Sequence, residues 1–201
     1  MTETIQEEKE KVFSQALNYT EYRALIKSLL ADNKTTGANH SDAMIGYTLM
    51  NDKRMDRLDK TLSLADEIIQ KVKKLDRMNW LVITEAWCGD AAQNIPLIAK
   101  MADLNDNIDL RFIMRDENPQ IMDQYLTNGS RSIPIIIFMD EHYRDLSTWG
   151  PRPQPVQNMI LDAKNNPDTE QAKLIEKLHK WYAVDKCKTL MEEYNNIINN
   201  F

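Results

Sequence analysis

Cys88 is the side chain here with the most chemistry to offer, because of where it stands. It follows a short apolar run, Trp80-Leu81-Val82-Ile83, of buried-strand length. It precedes Ala91, Ala92, Ile95, Ile98 and Met101, whose spacing is helical. A cysteine where a strand hands over to a helix meets free backbone N–H groups and the positive end of a dipole, and both favour a thiolate. Glu85 and Asp90 stand nearby in sequence, and a carboxylate opposes a thiolate by like-charge repulsion. The helix end acts at contact distance, whereas solvated carboxylates are screened. The expectation is therefore a Cys88 pKa below that of free cysteine. The competing reading is a buried, inert thiol, the commoner state of a lone cysteine.

Trp87-Cys88-Gly89 after an apolar strand resembles the active-site turn of the thioredoxin superfamily, Trp-Cys-Gly-Pro-Cys. That family's second landmark is an X-Pro dipeptide before a later strand, and Ser132-Ile133-Pro134 stands before the apolar residues 135–139. The resemblance covers residues 78–150. It implies the fold, an attacking thiol at Cys88, and a turn made by Trp87, Gly89, Asp90 and Ala91. It also implies a cis Pro134 facing the cysteine, with Ile133 pairing to substrate backbone as part of a groove. Two positions depart from the pattern. Ala91 stands where the resolving cysteine would be, and Val82 where the buried acid would be. Dithiol chemistry is thereby put in question while the fold is not.

The remaining reactive groups are sparse. Cys187 shares a helical stripe with Leu190, Met191, Tyr194 and Ile198, which reads as core rather than as a remote resolving thiol. His40, His142 and His179 are scattered, so no metal site and no cofactor are expected. No nucleophile elbow and no phosphate-cradling glycine loop occur. Arg152, in the Trp149-Gly150-Pro151-Arg152-Pro153 turn, is a candidate neighbour for an anionic group. Lys53, Arg54, Arg57 and Lys60 interleave with Asp52, Asp56 and Asp59; this reads as a solvated face with i,i+4 pairs rather than an anion site.

The 201 residues, 28% charged and 42% hydrophobic, suit one globular domain with extensions. A formal net charge of −6 argues against nucleic-acid or anionic-membrane partners. No signal-peptide pattern opens the chain and no apolar run is long enough to span a bilayer. Two distant cysteines then read as a reducing cytoplasm.

Hydrophobic periodicity supplies the elements that must hold the cysteine. Residues 3–31 read as helix, with a possible break capped by Thr20, and residues 41–74 as a second helical block. Next come a strand at 79–85, a helix at 90–104, a strand at 108–114, a short helix at 119–126, a buried strand at 133–139 and a hairpin partner at 144–149. A short helix follows the Gly150–Pro155 breaker, and Pro167 opens the first turn of one long terminal helix. The expected fold is α/β: a thioredoxin-like mixed sheet with helices on both faces, an N-terminal helical extension (1–77), the core (78–150) and a C-terminal helical segment packed on it (151–201).

The expected function is thiol–disulfide exchange or mixed-disulfide formation through the single thiol of Cys88, with a protein or a low-molecular-weight thiol or disulfide as partner. Two alternatives stay open. One is a redox-inactive binding module that holds an extended peptide in the Ile133/Pro134 groove. The other is an interaction protein whose helical termini form a homodimer.

Overall fold

The computed structural model describes residues 4–166 and 168–201; Pro167 lies outside them. The sheet among the described residues has four strands. Strand β1 (Met78–Thr84) pairs in parallel with β2 (Ile108–Met114) and antiparallel with β3 (Ile135–Asp140), which pairs antiparallel with β4 (Asp145–Trp149). Every residue of β1 is buried, which is why its pattern is a continuous apolar run rather than an alternation. Helix α5 (Gly89–Ala102) connects β1 to β2, and the short α6 (Pro119–Met122) lies between β2 and β3. This is a mixed, thioredoxin-like α/β fold with helices around the sheet.

The N-terminal helical region is three helices and a short fourth: α1 (Ile5–Gln15), α2 (Tyr19–Ala31), α3 (Asp42–Thr61) and α4 (Asp66–Val72). The first break is capped by Asn18, not Thr20. Asn18 and Glu21 form a reciprocal capping box, as Thr4 and Glu7 do for α1. The expected 41–74 block divides because Leu62 turns extended after α3. These helices are fastened to the sheet. Leu17 pairs with Phe112 on edge strand β2, and Tyr22 stacks on the Phe112 ring at 5.1 Å between centroids. Lys9, buried, reaches Asp145 at 2.7 Å.

After β4 come α7 (Gln154–Asn165), α8 (Gln171–Asp185) and α9 (Lys188–Ile198). The expected long terminal helix is thus divided at Lys186 and Cys187, whose φ of 50° and 65° are left-handed. An L-residue there costs roughly 1–2 kcal/mol, which local packing must outweigh. Helix α9 buries Leu190, Tyr194 and Ile198, and Tyr194 packs edge-on against Phe138 and Trp149. By contrast, α8 has no fully buried residue. No helix among the described residues is long and apolar enough to cross a membrane.

Candidate functional site

Cys88 is the N-cap of α5. Its Sγ accepts the Ala91 N–H at 3.4 Å, the contact a capping serine would make with its hydroxyl. Its S–H donates to the Ile133 carbonyl at 3.3 Å. The structure therefore brings Cys88, Ala91 and Ile133 together. The residue is 8% exposed. Burial, reinforced by the Asp90 carboxylate, pushes the thiol up to about 12, against the pull of the Ala91 and Asp90 N–H groups and of Arg152.

The expected depression of the Cys88 pKa is therefore corrected. The helix end is present, but its effect is smaller than the loss of water around the sulfur. The neighbouring carboxylates are also withdrawn from bulk water, Asp90 in part and Glu85 fully. Asp90 is gripped by Arg152 Nε at 2.7 Å and accepts the Tyr182 hydroxyl at 2.8 Å. Glu85 is fully buried. One of its oxygens accepts the Asp116 N–H at 3.0 Å, the other has no hydrogen-bond partner, and burial raises its pKa.

The Ile133–Pro134 and Gly150–Pro151 peptides are both cis. Ile133 and Pro134 are buried, and the Ile133 carbonyl is occupied by the Cys88 thiol. Gly150, at φ 138°, lies so close to the Pro134 carbonyl that a Cβ there would collide with it. Trp87 is half-buried, with the Arg115 guanidinium 4.8 Å from its ring centroid. Ala91 is buried. Cys187 is buried too, its S–H directed at the Gln93 carbonyl 3.8 Å away, and burial raises its pKa to about 11. Among the described residues, no three histidine, cysteine or acidic side chains are placed to hold a metal ion.

Sequence reasoning missed the residues that hold the turn from behind. The Ala86 N–H donates to Thr36 Oγ1 at 2.9 Å, and the Ala86 carbonyl accepts from Asn51 Nδ2 at 3.0 Å. Asn51 also accepts from Arg54 at 3.0 Å. The Arg54 guanidinium stands 3.9 Å from where a Gly89 Cβ would be. Both backbone groups before Trp87 are thus satisfied by the N-terminal helical region. Nothing local to positions 36 and 51 marks them. Tyr182, which reaches Asp90 from α8, is equally unmarked.

A buried thiol thus caps the helix after the internal strand β1 and is hydrogen-bonded to the residue before a proline, in a β2-β1-β3-β4 sheet. The chain belongs to the thioredoxin family: residues 37–173, more than half its length, match the family described as Thioredoxin. Similar solved structures include an HIV epitope-scaffold, 18% identical, with a TM-score of 0.61 over 96% of this chain and 98% of that one. Another is a protein of unknown function from Pseudomonas aeruginosa, 19% identical, with a TM-score of 0.56 over 91% of this chain and 98% of that one. At these identities the likeness is one of fold. No curated protein matches the chain.

Proposed function

We propose that this chain is a thioredoxin-fold binding module in which Cys88 is a structural cap and not a redox centre. The observation that carries this reading is the state of the sulfur. It is enclosed and used in two hydrogen bonds, one as acceptor and one as donor. Exchange needs a thiolate with an open approach to a disulfide. Here the proton is held between sulfur and carbonyl, and Ala91 supplies no second thiol. The partner surface then lies outside the Ile133/Pro134 groove, because both residues are buried and the Ile133 carbonyl is occupied.

One observation favours the exchange reading instead. The Ala91 N–H points at the sulfur from the helix end, the arrangement that stabilises a thiolate once water can reach it. In that case the Cys88 thiolate would attack a disulfide, forming a mixed disulfide and releasing the other sulfur as a thiolate. A separate thiol would then have to resolve it.

Reduction of an insulin-type disulfide by excess dithiothreitol separates the two. The expected turnover equals the protein-free blank and is the same for Cys88→Ser. Turnover above the blank that Cys88→Ser abolishes would refute the binding-module reading.

A further inference from the structure

Helix α3 carries an arrangement that its amphipathic pattern does not require. Its aspartates do not pair along the helix. Asp52, Asp56 and Asp59 turn to α2, where Arg23 meets them at 2.9, 2.6 and 2.5 Å. The expected i,i+4 pairing is therefore replaced by pairing between helices. Lys53, Arg57 and Lys60 are left exposed, with no carboxylate partner among the described residues. One turn earlier on the same outward side stand Leu49 and Met50, 46% and 45% exposed, with Tyr47, 50% exposed, round toward its edge. A chain of net charge −6 thus presents a local block of cations without ion-pair contacts, joined end to end with an apolar block. From Leu49 to Lys60 the stripe is about 17 Å long at helical rise. One edge of it is Arg54, which lies against Gly89 in the Cys88 turn.

We propose that this face of α3 docks an acidic segment of a partner protein, carboxylates over Lys53, Arg57 and Lys60 and apolar side chains over Tyr47, Leu49 and Met50. The proposal rests on the binding-module reading and names the partner's chemistry. Charge complementarity selects the occupant, since three exposed cations without a carboxylate contact attract carboxylates and repel a basic segment. The segregation of the two blocks along the axis selects a protein over a membrane. A helix lying in a bilayer surface needs an apolar face along its whole length, with cations on the opposite face.

The test uses the full chain and a fluorescein-labelled synthetic peptide with one block of Leu and Phe followed by one block of Glu, read by anisotropy. Saturable binding is expected, weakened by added salt and at least tenfold weaker for the double variant Lys53→Glu/Arg57→Glu. A peptide with Lys in place of Glu is expected not to bind. Both substituted side chains are exposed and unpaired, so circular dichroism should show the variant folded; Lys53→Gln/Arg57→Gln should give an intermediate loss. Binding unaffected by these variants, or equal for the Lys peptide, would overturn the docking surface and leave the binding-module reading standing. Loss of binding with Cys88→Ser while the charge variants keep it would overturn both. Preferential capture of phosphatidylserine vesicles, or a dimer that the charge variants dissociate, would replace the acidic segment with a membrane or a second copy and so contradict the proposal.

Discussion

At the scale of single residues, the sulfur of Cys88 and the carboxyl of Glu85 define the site by what burial does to them. If Cys88 is a cap, serine should serve nearly as well, because its hydroxyl can accept the Ala91 N–H and donate to the Ile133 carbonyl. Cys88→Ser is expected to change stability by less than about 1 kcal/mol, and Cys88→Ala to cost about 1–2 kcal/mol. Urea denaturation measures both, and equal losses would contradict the capping role. Glu85 gives a pH signature. Its folded pKa is raised by burial, so between the ordinary and the raised value the folded state holds a proton that the unfolded state has lost. Stability then falls as pH rises through that window, and the penalty is complete above it. Glu85→Gln is expected to be more stable than the parent at neutral pH and to lack that decline. A variant less stable than the parent at neutral pH would contradict it. The sequence showed that Cys88 caps a helix. It did not show the burial, because groups such as Arg152 and Tyr182, which meet Asp90 beside the thiol, come from distant later parts of the chain. The burial of Glu85 is equally illegible, because its neighbours Gly37 and Asp116 come from segments distant in sequence.

At the scale of elements, two distant segments fix the Cys88 turn. Asn51 on α3 holds the Ala86 carbonyl, so Asn51→Ala leaves a buried acceptor without a donor, at a cost of about 1–3 kcal/mol. Helix α8 holds the front through Tyr182 and Asp90, yet it buries none of its own residues fully. Tyr182→Phe is therefore expected to speed amide hydrogen exchange in α8 and alkylation of Cys88, with global stability little changed. Unchanged exchange would show that α8 is held by other contacts. Strands β1 and β3 are legible because their apolar runs are unbroken, and α5 because its apolar residues recur at helical spacing. The helix breaks are not. Leu62 carries no glycine or proline signal, and Lys186 and Cys187 adopt left-handed backbone that L-residues rarely take. Asn18 does carry a signal in the sequence, since Glu21 completes its capping box.

At the scale of the whole molecule, the helical region before residue 77 is bonded to the sheet and its turns at several points. Thr36 and Asn51 bond the turn before Trp87, Leu17 extends the sheet at Phe112, and Lys9 reaches Asp145 at the other edge. The family match likewise begins at residue 37, inside the N-terminal helical region. Thermal unfolding is expected to be one transition by both far-ultraviolet circular dichroism and tryptophan fluorescence. Two separated transitions would show that the extension melts independently.

On the binding-module reading, Cys88 is closed to solvent and holds its proton. This state is tested by the rate of iodoacetamide labelling of the folded Cys187→Ala variant across pH, with Cys88→Ser as the blank. The expected result is negligible labelling near neutrality and an apparent pKa well above the free-cysteine value of about 8.5. Rapid native-state labelling with an apparent pKa below that value would contradict the account and return Cys88 to the role of an exchanging thiol.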